Sequence, residues 1–322
     1  MNKLFLCFFA LMLTACSGDR QKDFRRWMEN DGKVKVLSTT GMVNDLVKEI
    51  GGGHIDTLTL IHGELDPHSY QLVKGDDEKL KFADIIFYSG LGLEHGPSLQ
   101  YHLLQGRKAV SLGDYIEKND LQAVIYVNGQ KDPHIWMDIS LWAKSIPLIV
   151  NVLSDAVPEH TAEFRANGNQ LMEVMTKTHR QAKEIMNKVP ETKRYLVTSH
   201  DAFNYFTRAY LSEPGEVESG EWKKRFAAPE GLSPESQLSV TDIRSIIDYL
   251  KKHHITQIFP ESNVSRDSIR KIVQAGKDQG LNVKIACCAL YGDAMGKSGS
   301  DGDSYLKMII YDANTLANHM GN

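Results

Sequence analysis

The chain has 322 residues, 37 basic against 41 acidic, a formal net charge of −4 and 42% hydrophobic residues. That mildly acidic balance gives no electrostatic case for nucleic acid, and the length exceeds what one hydrophobic core usually supports, so two domains are expected. Met1-Asn2-Lys3 is a short positive segment and Leu4 to Ala15 an apolar run too short to span a bilayer comfortably. Residues 1–16 therefore read as an export signal and not as a membrane helix.

The signal ends in Leu13-Thr14-Ala15-Cys16. This resembles a bacterial lipobox, which implies lipid attachment at Cys16 and anchoring in the periplasm or at the cell surface. A plain signal peptide with Cys16 incidental is the other reading. Residues 17–33 are taken as a flexible polar tether. Of the four cysteines, Cys7 lies in the signal, and Cys287 and Cys288 are adjacent in an apolar run. That pair is expected as buried strand residues, with a redox or metal element as the alternative.

Val34 to Thr40 alternates like a strand, Met42 to Ile50 has helical spacing, and Ile55 to Ile61 is again a strand. A helix over Glu78 to Phe82, a buried strand over Ile85 to Tyr88, a turn at Gly90-Leu91-Gly92, a helix near Ser98 to Leu104 and a strand over Ala109 to Leu112 follow. This β-α alternation predicts a largely parallel sheet covered by helices. Between Pro158 and Pro190 the residues are mostly helix formers, predicting one long connecting helix with Gly168 as its weak point. The α/β rhythm then returns, with strands over Tyr195 to Val197, Gln257 to Phe259 and Val283 to Leu290. Helices are expected over Ala202 to Tyr210, Val240 to His253, Asp267 to Gly276 and Ser304 to His319, and Ser212 to Gln237 reads as a long surface excursion. The expected organisation is an N-terminal α/β lobe (34–157), a connecting helix (158–190) and a C-terminal α/β lobe (191–322).

Chemistry concentrates in four places. Asp66-Pro67-His68 and Asp132-Pro133-His134 repeat one tripeptide, in which proline stiffens the loop that presents each imidazole. His200 stands just beyond the strand ending at Val197, and Asp293 just beyond the strand ending at Leu290. Ligands of open α/β sheets bind at such carboxyl ends, so two lobes could present three imidazoles and one carboxylate to a shared cleft. That donor set suits a borderline divalent metal ion. Asp66, Asp132 and Glu261 are candidates to orient the imidazoles, although either aspartate could equally cap a local turn. The remaining nine of the 12 histidines are assigned surface or capping roles.

The ordered motifs DPHSY, GLGLE, DPHIWMD, TSHDAFNYF and LYGDAMG, with the lipobox and long central helix, cover essentially the whole mature chain. Together they resemble the TroA-like zinc, manganese and iron solute-binding proteins of metal ABC importers. The resemblance implies two α/β lobes joined by one rigid helix, and a metal site in the cleft formed by His68, His134, His200 and Asp293. It also implies a monomer, anchored in the membrane, that delivers one manganese, zinc or iron ion to a permease driven by an ATPase. Zinc-dedicated relatives often carry a His-rich acidic loop in the first lobe. The corresponding stretch from Asn119 to Lys131 has no histidine, which argues mildly against a zinc specialist. Two other classes stay open, a surface adhesin or structural lipoprotein with incidental metal and a periplasmic metallohydrolase. The second lacks a His-Glu-x-x-His helix and a close His-x-His cluster.

Overall fold

The computed structural model describes residues 24–234 and 238–321. The expected export signal, the expected anchor residue Cys16 and the part of the expected tether up to residue 23 lie outside the described residues. From residue 24 onward the tether expectation does not hold. Residues 24–27 form a helical turn whose Trp27 is 4% exposed, packs edge-on against Phe82 and donates its indole N–H to the Asp56 carbonyl at 3.1 Å. A large aromatic that close to the export signal folds onto the lobe because it has apolar surface to cover.

In the first lobe, β1 (Val34–Ser38) leads into α1 (Gly41–Gly51), whose first turn is capped by the Thr40 side chain accepting the Val43 N–H. Next come β2 (Ile55–Thr59), α2 (Asp76–Phe82), β3 (Ile85–Tyr88), α3 (Pro97–Gln105), β4 (Ala109–Ser111) and α4 (Leu112–Asn119). The strands pair in parallel in the order β2-β1-β3-β4, with Leu37 beside both Leu58 and Ile86. The inner strand β3, Ile85-Ile86-Phe87-Tyr88, is a continuous apolar run, as expected of a parallel strand covered on both faces.

The lobe closes with α5 (Ile146–Ala156). After a tight turn at Pro158–His160, α6 runs unbroken from Thr161 to Met186, about 39 Å at 1.5 Å per residue. Gly168 is not its weak point. A Cβ there would meet Val150 Cγ2 at 2.7 Å and Ile146 Cγ2 at 3.2 Å, so the missing side chain lets α6 lie against α5. Gly168→Ala should overpack this contact and destabilise the protein by about 1–3 kcal/mol despite alanine's better helix propensity. Denaturant unfolding of the two proteins checks the sign.

The second lobe contains β5 (Leu196–Val197), β6 (Phe226–Ala227), α7 (Val240–Lys252), β7 (Gln257–Ile258), α8 (Asp267–Asp278), β8 (Lys284–Ile285) and α9 (Tyr305–Met320), the last packed along α6. β5 pairs with β6 and β7 with β8, all in parallel, and the Phe259 N–H joins the two pairs by donating to the Val197 carbonyl at 2.9 Å. The resulting order, β6-β5-β7-β8, repeats the second-first-third-fourth order of the first lobe. The fold is therefore two α/β lobes joined by one long helix.

Four expectations are corrected. The strand over Val283 to Leu290 shrinks to Lys284–Ile285 plus a parallel bridge between Leu290 and Glu261. Cys287 and Cys288 fall in the bend between them, and Cys287 is exposed, so they are not buried strand residues. The helix expected over Ala202 to Tyr210 is one turn, Asn204–Phe206, that widens into a π-helical turn over Thr207–Leu211. Finally, the segment from Ser212 is no mere surface excursion. It contains a helix at Pro214–Ser219 and strand β6, and buries Trp222 and Arg225. One of its glutamates serves Arg225, whose guanidinium donates to Glu216 Oε1 at 2.8 Å and lies over the Tyr195 ring. Among the described residues no helix is long and apolar enough to cross a membrane.

Candidate metal centre

Each functional side chain leaves a sheet at its carboxyl end or a loop braced against one. The chain beyond β2 stays attached to β1, since the Leu60 and Ile61 N–H groups donate to the Ser38 and Thr39 carbonyls at 2.8 and 2.9 Å. Asp66 then shapes the turn, taking the His68 backbone N–H on Oδ1 at 2.9 Å and the Ser69 hydroxyl on Oδ2 at 2.6 Å.

The second tripeptide goes further. Asp132 Oδ1 accepts the His134 backbone N–H at 2.9 Å and also stands 2.7 Å from the His134 ring Nδ1. Asp132 is itself fixed from the other lobe, by the Asn204 amide on Oδ2 and the Tyr205 hydroxyl on its carbonyl, each at 2.9 Å. Beyond His134, the Trp136 indole N–H donates to the Gly292 carbonyl at 3.0 Å, and the Tyr305 hydroxyl donates to the Trp136 carbonyl at 2.6 Å. The His134 loop is thus held to the second lobe on both sides.

His200 and Glu261 follow β5 and β7, adjacent strands whose chains leave towards opposite edges of the sheet. That is the switch point where α/β sheets place ligands. Glu261 Oε1 takes the Ser199 and His200 backbone N–H groups at 3.0 and 2.8 Å, and its Oε2 lies 2.7 Å from His200 Nδ1. Gly292 precedes Asp293 because a Cβ there would meet Glu261 Oε2 at 2.7 Å.

The ring contacts of Asp132 with His134 and of Glu261 with His200 turn those two Nε2 atoms inward, and His68 Nε2 points to the same place. His68 Nε2 is 3.2 Å from His134 Nε2. The Asp293 carboxylate stands 3.7 Å from His68 Nε2, 3.3 Å from His134 Nε2 and 3.1 Å from His200 Nε2. One donor atom from each of these four residues lies within 4.8 Å of the others, and all four residues are buried. Nε2 of His200 and Oδ1 of Asp293 are buried without a hydrogen bond. Buried polar atoms normally have partners, so orphaned donors converging on one point fit a metal ion.

Burial and charge divide the imidazoles. Burial pushes His68 well below its ordinary value, Asp293 offsetting this only in part. For His134, burial acts in the same direction but is outweighed by Asp132 and Asp293, which lift the imidazole to about 9. Burial is likewise outweighed at His200, which Glu261 and Asp293 raise well above its usual range. Asp293 would be raised by burial, but His200 and His134 hold its carboxyl well below the ordinary carboxylate range.

All four expected ligands are brought together, and of the three expected orienting carboxylates Asp132 and Glu261 reach an imidazole while Asp66 caps its turn. Sequence reasoning missed Asn204, Tyr205, Trp136 and Glu94. The first three sit inside the quoted motifs but act on partners far along the chain. Glu94, the last residue of GLGLE, is buried and collects the Thr39 hydroxyl at 2.6 Å and the Ser89 N–H at 2.8 Å, tying the ends of β1 and β3 together.

Comparison with known proteins agrees with this geometry. The metal-binding protein YtgA of Chlamydia pneumoniae is 43% identical over 258 residues, covering 80% of this chain and 79% of that protein. The manganese-binding lipoprotein MntA of Bacillus subtilis is 31% identical over 311 residues, covering 96% and 95%. The crystal structure of Fe(III)-bound YtgA from Chlamydia trachomatis superposes with a TM-score of 0.84 at 36% identity, covering 90% of this chain and 98% of that one. The family model for the zinc-uptake complex component A, periplasmic (ZnuA), matches residues 36–319, and the chain belongs to that family.

Proposed function

We propose that this chain is the extracytoplasmic substrate-binding protein of an ABC importer, capturing one divalent transition metal ion on His68, His134, His200 and Asp293. The observation that carries the reading is the convergence of three buried imidazole Nε2 atoms on one buried carboxylate. Three nitrogens and one oxygen accept manganese, zinc or iron, so cargo choice rests on supply as much as on the donors. Asp132 and Glu261 orient His134 and His200 from outside. Residues 34–157 and 191–322 act as the two lobes and 158–190 as the connection. Capture and release, not turnover, is the activity, with a permease and its ATPase as partners. The match to a manganese-binding lipoprotein supports attachment through Cys16.

In the metal-free site His134 and His200 hold protons at neutral pH, and the ion must displace them. Affinity should therefore fall as pH drops from about 9, where His134 titrates, towards 6. The loss approaches about tenfold per pH unit for each proton released. The test is metal content by mass spectrometry of protein purified without chelator, followed by titration of stripped protein with zinc and manganese at pH 6 and 8. About one equivalent lost on stripping and tighter binding at pH 8 are expected. No metal in any preparation, even after reloading, would overturn the reading.

A further inference from the structure

We propose that Cys287, Cys288 and His319 form a second metal site, on the surface of the C-terminal lobe, for a thiophilic d10 cation such as zinc. The two thiols lie in the bend after β8, with Sγ atoms 3.2 Å apart, and Cys287 Sγ is 3.5 Å from His319 Nε2 on the last turn of α9. Donor atoms of the three side chains lie within 4.8 Å of one another.

Two features make this a ligand set and not a chance surface group. His319 Nδ1 is 2.9 Å from the Thr315 carbonyl and donates its proton there, which leaves a lone pair on Nε2 facing the sulfurs. Metal-binding histidines are held in this way by an outer acceptor. The spacing also fits. A tetrahedral ion with bonds of about 2.3 Å to sulfur and about 2.0 Å to nitrogen holds sulfur and nitrogen about 3.5 Å apart and its two sulfurs about 3.8 Å apart. The sulfur–nitrogen distance already matches, and the two sulfurs need open by only about half an ångström.

Two thiolates and one imidazole leave a fourth position for water or an incoming ligand, as befits a site that exchanges its ion with solution. The other surface group, His54 and His160 with Glu163, does not compete. Its rings are stacked with centroids 3.5 Å apart and each directs a nitrogen to the carboxylate, which explains the group without an ion.

The test is cadmium titration of the reduced full-length chain, with Cys7→Ser and Cys16→Ser in every protein compared, under anaerobic conditions, followed by sulfur-to-cadmium charge-transfer absorption. The cleft has only nitrogen and oxygen donors, so it is silent in this band. The expected result is about two equivalents bound. Cys287→Ser with Cys288→Ser should remove one equivalent and most of the band, His134→Ala should remove the other and keep the band, and His319→Ala should weaken the surface ion by roughly tenfold or more. A band unchanged in the double serine variant would overturn the proposal, as would unchanged surface affinity in His319→Ala. Loss of the cleft ion in the parent protein, with the band intact, would instead strike only the function proposed above.

Discussion

Replacing His134 by Ala should weaken metal capture by more than about a hundredfold while leaving both lobes folded. Of the four proposed ligands, His134 is held most firmly. Its ring is fully buried, its Nδ1 stands 2.7 Å from Asp132, and Asp132 is bound by groups of the opposite lobe. Alanine removes one of four donors and leaves Asp132 with the residue-134 backbone N–H and the Asn204 amide, so its loss of partners is partial, costing about 1–3 kcal/mol. Each lobe has its own buried apolar cluster, including Leu37, Leu58 and Ile86 in one and Ile246, Ile258 and Ile272 in the other. Neither of these contains the site, and the largest cluster, which spans both lobes and flanks the site through Ile135, Trp136 and Phe203, is built of apolar side chains that need no ion, so folding does not wait on the metal. Competition with a chelating dye reads the affinity and circular dichroism reads the fold. Affinity within a few-fold of the parent would remove His134 from the ligand set.

Much of the first lobe was legible because its strands and helices are long enough for a period to repeat. Val34 to Ser38 and Ile85 to Tyr88 are buried runs bounded by turns, and α1 places Met42, Val43, Leu46, Val47 and Ile50 on one face. The second lobe is harder to read. Its strands are two residues long, so an apolar run such as Val283 to Leu290 says nothing of where pairing stops. Here pairing stops because the chain bends outward at Cys287. The segment after Ser212 misled through composition, since Glu216, which looks solvated, neutralises a buried Arg225.

At the site, the four inward donors could be found because each sits in a local pattern, a stiff tripeptide or the end of a strand. The groups that aim them are long-range. Glu261 meets the His200 backbone across 61 residues and Asn204 meets Asp132 across 72. The identical tripeptides show how far local pattern reaches. Both aspartates take the backbone N–H of their histidine at 2.9 Å, yet only Asp132 also meets the ring, while Asp66 spends its second oxygen on Ser69. Spacing along the chain does not distinguish the two.

Asp293→Asn should separate the two jobs that this carboxylate performs, neutralising the ion and neutralising the empty site. With metal, asparagine withholds the only charge among the four donors, and affinity should fall by more than about a hundredfold, as it does for His134→Ala. Without metal, Asp293 is the counter-charge that His134 and His200 share, at 3.3 and 3.1 Å. Both imidazoles have folded-state values above the unfolded one, His134 at about 9. The stability they contribute is therefore fully present below the unfolded value of about 6.5, and the share of His134 is lost as pH rises through about 9. Removing Asp293 leaves buried imidazolium short of its partner, so the metal-free variant should lose about 3 kcal/mol at pH 6. At pH 9.5 His134 is largely neutral in the parent protein, so its share of the difference should shrink. Denaturant unfolding of stripped parent and variant at the two values reads this directly. Equal stability at pH 6 would mean that Asp132 and Glu261 alone balance the imidazoles, and Asp293 would then serve the ion only.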